Sequence, residues 1–345
     1  MTGEAEKYIG QANLFIKTGN LSAPSLWMYF TQITLLSFCI KLHLSFAIAI
    51  AVQFFFNFLA TWYFHRTLYL VFNSSIIALV GVLLLLLNQS YQEFNVSLQT
   101  ESLFYSFTLI ASCYIITIEK LSFKNISGMI FLLALISLTR PTGLLFIPPA
   151  LIYLFFIYLK QFNAMKKLAI LSLVGIAFLF LLNQALGSGG ELDFMLPFRD
   201  ERIICGVPTL PGFLAIKTTS NGNSLWGLLY YITHNFSQFI RLAFLRTLAF
   251  FGLWRNYFGI MHNVFLVIYF YSIHMLAILS LPYWANKNAY RLLYFLALIF
   301  LTWLTVILTC DDWHNRFYLS ISPYIIFLSL GFASMRIKKA TNDQQ

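Results

Sequence analysis

Charge is what this chain lacks. Only 10% of its 345 residues are charged and 59% are hydrophobic, with a mean hydropathy of +0.76. A water-soluble domain carries roughly 25% charged and about 45–50% apolar residues, so a chain of this size cannot clothe a soluble surface. Apolar runs close to the ~20 residues that cross a ~30 Å hydrocarbon core recur. They lie at Leu44–Phe64, Leu168–Leu186, Val264–Leu281 and Leu292–Leu308. Lipid offers the backbone no hydrogen-bonding partner, so these runs must be helical. The expected fold is therefore all-α, a polytopic bundle of membrane helices. The 37 Phe, 19 Tyr and 7 Trp suit a lipid-facing surface with interfacial belts.

The net charge of +10 does not make a nucleic-acid binder, because the basic residues are dispersed between apolar segments without a long basic run or a nucleic-acid motif. Cys39, Cys113, Cys205 and Cys310 are far apart with no Cys-x-x-Cys or Cys/His spacing. They point to neither a zinc site nor a disulfide framework.

Basic residues set the orientation, since Lys and Arg gather in cytoplasmic loops. With the tail Arg336, Lys338 and Lys339 taken as inside, each crossing flips the side. Lys287 and Arg291, then Lys160, Lys166 and Lys167, then Lys120 and Lys124, and finally Arg66 fall inside, while short outer loops hold only Arg140 and Arg316. The scheme requires Asn235–Trp254, with Arg241 and Arg246, to lie along the interface, and Pro24–Leu42 likewise. About nine spans of ~20 residues remain. The N-terminus then falls outside, and the expectation is that a first membrane helix is missing before it. The expected parts are an external acidic loop and interfacial helix at 1–43, membrane helices at 44–187, a long external loop with an amphipathic helix at 188–258, and C-terminal membrane helices at 259–345.

The acids sort more sharply still. Glu4, Glu6, Glu93, Glu101, Glu191, Asp193, Asp200, Glu201, Asp311 and Asp312 fall outside, against Glu119 and Asp343 inside. Acids contribute little to topology, so their segregation needs another cause, and an external active site is one. The sequons at Asn88 and Asn95 are outward on the same map, and glycosylatable only in a eukaryotic secretory membrane.

Four outer segments carry the chemistry. Glu4 and Glu6 sit two residues apart, which on a helix would face them apart but in a loop lets them converge on an acceptor hydroxyl or a divalent cation. Glu101 stands at the mouth of a helix that runs apolar from Leu103, where the helix dipole favours an acid. Leu138-Thr139-Arg140-Pro141-Thr142-Gly143 is a tight turn in which Pro141 can open the second helix; its arginine suits a phosphate, or snorkels at the interface. Cys310-Asp311-Asp312-Trp313-His314-Asn315-Arg316-Phe317 holds two acids, a histidine and an arginine between membrane helices, more than a turn needs. Metal binding, phosphate binding and acid–base chemistry all fit it. The long loop Gly187–His234, with Glu191, Asp193, Arg199, Asp200, Glu201, Arg202 and Lys217, suits acceptor binding.

The order of these pieces resembles the GT-C superfamily of membrane glycosyltransferases, in particular bacterial relatives of the protein O-mannosyltransferases and the lipid A aminoarabinose transferase. Members show an acid and a Tyr in the first external loop, then a run like Ala12, Gly19 and Pro24. A Glu opening a later helix matches Thr100-Glu101, and an Arg-Pro turn matches Arg140-Pro141. His262-Asn263 opens the helix before the last two, and His314-Asn315-Arg316-Phe317-Tyr318 leads into a helix with Pro323. The family's first-loop acid is usually Asp, where this chain offers Glu4 or Glu6, and the family's first membrane helix is expected to be missing before it.

What the resemblance implies is a multi-pass enzyme of the bacterial inner membrane with an outward site. Its donor would be a polyprenyl-phosphate sugar from the bilayer and its acceptor a glycan, lipid or protein. Glu4 or Glu6 would act as base for an inverting attack. Glu101, Arg140, His262, Asp311, Asp312, His314 and Arg316 would bind substrate, the arginines stabilising the departing phosphate, and a divalent metal (Mg or Mn) is optional in such enzymes. A transporter or flippase would instead place ionisable residues near the bilayer midplane and often shows internal repeats, of which the chain has none. A glycan polymerase would use a similar external site.

Overall fold

The computed structural model describes residues 3–120, 122–158, 195–207, 216–219 and 222–342, with scattered positions between 163 and 183. Among them the chain is helical without a strand, and a single bridge pairs Ile204 with Asp311. It divides into two compact units. Unit 1 comprises Met1–Tyr158, Ser272–Leu298 and Leu319–Gln345; unit 2 comprises Leu159–Tyr271 and Ile299–Tyr318.

Unit 1 opens with helix α1, Gly3–Thr18, where an external loop was expected. Its buried Ala5, Tyr8 and Ala12 recur at helical spacing and form one face. That face packs on α2, Phe30–Lys41, where the Ser37 hydroxyl donates to the Ala12 carbonyl. Gly19, at φ +70°, ends α1 in the left-handed conformation that a residue without Cβ adopts freely.

Helix α3, Ala47–Phe72, ends at left-handed Asn73, and Ser74 caps α4, Ser75–Leu87. Large apolar side chains on both helices, including Phe54, Phe58, Leu79 and Leu83, are exposed, as lipid-facing residues would be. The centre of the unit is α5, Glu101–Ile116, buried along nearly its whole length. Helix α6, Phe123–Ser137, starts at a Ser122 cap, and α7, Ile147–Tyr158, follows the Pro141 turn. Asn88 and Asn95 are 0% and 2% exposed, bonded to Ser322 and Ser102, so neither sequon is open to glycosylation.

Unit 2 contains α8, Leu225–His234, and α9, Phe236–Gly252, within the segment expected to be a long loop. Met195, Phe198, Tyr231 and Leu242 make its small core. Arg246, expected on an interfacial face of α9, is instead fully buried. It donates Nε to the Arg202 carbonyl (2.9 Å), Nη1 to that of Ile307 (2.6 Å) and Nη2 to that of Pro197 (3.0 Å). Burial lowers its pKa to about 10, which leaves it charged at neutral pH.

The last helices are α10, Ile260–Leu308, and α11, Arg316–Asn342, each contributing residues to both units. Asn288, at φ −159° and ψ 80°, breaks α10 between the two apolar runs read there. Among the described residues three helices are long and apolar enough to cross a membrane, Ala47–Phe72, Ile260–Leu308 and Arg316–Ile337, or four if the bent pair Ser75–Leu87 and Gln89–Val96 is one span. The expected nine or so are not reached among these residues, where α5 and α6 have only 16 and 15 residues. The run Leu168–Leu186 lies largely outside the described residues.

Candidate functional site

In unit 1 the switch from polar sequence to an apolar helix puts Glu101 at the first position of α5, where unpaired backbone N–H groups favour a carboxylate. Glu101 is fully buried and ion-paired with Arg140. Several contacts hold the arginine's turn in place. The Thr31 N–H donates to the Leu138 carbonyl (3.0 Å), and the Thr139 hydroxyl lies 3.1 Å from that of Thr31. Pro141 opens a short 3-10 helix, Pro141–Phe146. Gly143 passes so close to α6 that a Cβ would lie 2.5 Å from the Ile136 carbonyl oxygen. The Arg140 guanidinium also sits 5.9 Å from the Phe104 ring centre.

The face of α1 completes this cluster. Tyr8 is buried beside Thr100, and it feels the charges of Glu101, Arg140 and Glu4. Burial is the largest cause holding its phenol well above the ordinary range. Because residues two apart on a helix point to different sides, the pairing expected of Glu4 and Glu6 does not form. Glu4, four residues before Tyr8, is half-buried on the Tyr8 side, and Glu6 is exposed.

Unit 2 builds the second cluster from the 310–316 loop. The Asp311 N–H donates to the Ile203 carbonyl (2.8 Å), the Cys205 N–H donates to the Asp311 carbonyl (2.7 Å), and a disulfide joins Cys205 to Cys310. The cysteine spacing had pointed away from any disulfide. With the partners 105 positions apart in sequence, only the fold brings them together.

Asp311 pairs with Arg255 and both are fully buried; Asp312 accepts from Arg316 Nε at 2.8 Å and from the His314 N–H at 2.9 Å. Burial outweighs the arginine and raises Asp311 from its ordinary 3.8 to about 6. Asn263 clamps the Arg255 backbone at both ends, accepting from its N–H (3.0 Å) and donating to its carbonyl (2.8 Å). Asn315, left-handed at φ 57°, lets the loop reverse and donates to the Leu253 carbonyl. Arg255 Nε and Asn315 Oδ1 remain buried without a partner, a donor and an acceptor in one cluster. His262 and His314 both pack against the Phe258 ring, at 4.8 and 6.2 Å.

Arg255 escaped sequence reasoning, although a lone arginine between two apolar helices is a signal that an acid must lie nearby. Among the described residues no three His, Cys, Asp or Glu side chains gather as metal ligands. In the long-loop segment, Arg202 pairs with Asp200, and Glu201 accepts from Gln238 and Arg241. Arg199 is exposed there, and Glu191 and Asp193 lie outside the described residues. No family model matches the chain, and no characterised protein or solved structure matches it significantly.

Proposed function

We propose that the chain is an inverting glycosyltransferase that moves a sugar from a polyprenyl-phosphate carrier to a hydroxyl acceptor at the outer membrane boundary. The observation that carries this reading is the Glu101–Arg140 pair, a buried acid–arginine pair at the end of an apolar helix with Tyr8 and Glu4 beside it. Charged side chains at such a depth are costly unless they have work or partners. A transporter would carry its charges midway along its spans, whereas the pairs Glu101–Arg140 and Asp312–Arg316 stand at helix ends.

In the proposed reaction the acceptor oxygen bonds to the anomeric carbon as the bond from that carbon to the phosphate oxygen breaks. A carboxylate takes the hydroxyl proton and the polyprenyl phosphate departs. Glu4 is the better base of the two N-terminal acids, since it lies on the Tyr8 side of α1. Arg140, in the same unit as Glu4, stabilises the negative charge that grows on the leaving phosphate. Any metal would add the same kind of stabilisation. What supports an outward site is the Cys205–Cys310 disulfide, because such bonds persist on the oxidising side of a membrane.

Deleting the gene and profiling lipids by mass spectrometry tests the proposal. Accumulation of a polyprenyl-phosphate sugar, together with an acceptor short of one sugar, is expected. An unchanged lipid-linked sugar pool contradicts it.

A further inference from the structure

A second polar feature of unit 1 lies at the end away from Glu101. Helix α5 runs from Glu101 to Ile116, whose carbonyl accepts from Arg291 Nε. Helix α3 runs the same length of the unit, from Gln53, bonded to Gln99 near the Glu101 end, to Val71. There a cavity of about 390 Å³ opens, with Phe72, Ile77 and Ile337 on its apolar side and Ser74, Ser334 and Lys287 on its polar side. Two helix breaks meet at this end, left-handed Asn73 between α3 and α4 and non-helical Asn288 within α10. Turns between apolar helices belong at the membrane–water boundary.

Lys287 defines the site. Its ammonium donates to the Val71 carbonyl (2.9 Å) and to the Tyr283 hydroxyl (2.7 Å), which in turn lies 3.0 Å from the Ser334 hydroxyl. An ammonium has three protons, so one is left for an outside acceptor. Among the described residues no carboxylate pairs with Lys287. Arg336, also exposed, precedes Ile337 on α11 and adds to the positive potential. On the apolar side, Ile76, Leu79 and Leu83 of α4 are exposed and lead away from the cavity.

We propose that this cavity binds the phosphate headgroup of an anionic phospholipid, with a phosphate oxygen on Lys287 and the acyl chains along the exposed face of α4. A cation at the polar rim and apolar walls that continue into a lipid-facing surface fit a phosphate carried on hydrocarbon, and basic pockets between membrane helices suit such headgroups. The site stands apart from the transfer reaction and does not depend on it.

The test titrates the purified full-length chain in detergent with phosphatidylglycerol, phosphatidylcholine and inorganic phosphate, reading bound lipid by native mass spectrometry. Phosphatidylglycerol is expected to bind at least fivefold more tightly than phosphatidylcholine. Lys287→Gln should remove about fivefold, the effect of one lysine near a charged membrane surface. Lys287→Arg and Arg66→Gln should keep the preference, and Ile77→Trp, which fills the cavity but leaves the charge, should lose it. Equal binding of the two lipids, or a Lys287→Gln protein that still prefers phosphatidylglycerol, overturns the proposal. Competition by inorganic phosphate as strong as that of the lipid also overturns it, by showing a phosphate site without a lipid requirement.

Discussion

The two ion-paired clusters are held by opposite means. In unit 1, Glu101 and Arg140 meet because α1, α2, α5 and the Arg140 turn pack together, and the two opposite charges compensate each other without a covalent cross-link. In unit 2 the Asp311 and Asp312 loop is anchored by a disulfide, by two backbone hydrogen bonds to the 203–205 segment and by Asn263 behind Arg255. The first cluster should therefore be fragile to loss of a charge, and the second to loss of a cross-link.

The largest expected effect breaks the first. Glu101→Gln leaves the largely buried Arg140, 13% exposed at its side chain, without this acid and should cost roughly 3–5 kcal/mol, read as a fall in the thermal midpoint of the purified protein. Glu101→Leu combined with Arg140→Met should recover most of that loss. A single variant within about 1 kcal/mol of the parent would show that the pair is not what holds the cluster.

Next comes the cross-link. Cys205→Ser with Cys310→Ser should cost about 2–4 kcal/mol, with faster hydrogen exchange around 203–207 and 309–316 and unchanged protection in α5. Loosening that spread into α5 would erase the contrast between the clusters.

Acidity sharpens the comparison further. Asp311 has a folded pKa of about 6 against an ordinary 3.8, so its proton is held more tightly in the folded state. Its stabilising contribution is present below about pH 4 and is lost as pH rises through 6. At 1.36 kcal/mol per unit this amounts to at most about 3 kcal/mol. Unit 2 should gain stability on acidification from pH 7 to pH 4, and Asp311→Asn should flatten that part of the profile. The smallest effect is Tyr8→Phe, which removes a buried hydroxyl beside Thr100 and should change stability by about 1 kcal/mol or less.

Local signals in the sequence carried much of this. The change from polar to apolar residues at Glu101 marks a helix start, Arg140-Pro141 with Gly143 marks a tight turn, and the residues from Asp311 to Arg316 stand out as a polar loop. What the sequence hid is non-local. Arg255 and Asp311 are 56 residues apart, and the disulfide spans 105. The N-terminal segment was misread as a loop because its polar residues dominate the eye, while only the spacing of Ala5, Tyr8 and Ala12 betrays a helix face. Counting spans from apolar runs is less direct, since α5 and α6 are only 16 and 15 residues long and α10 joins two apolar runs across Asn288.

The most direct test of sugar transfer uses membranes containing the chain. They are supplied with a panel of polyprenyl-phosphate sugars, and release of polyprenyl phosphate is followed over time. Wild-type membranes should release it from at least one donor, and Arg140→Gln, matched for protein level, should slow release by roughly 100-fold or more. No release from any donor, or release by the variant at the wild-type rate, would contradict the account.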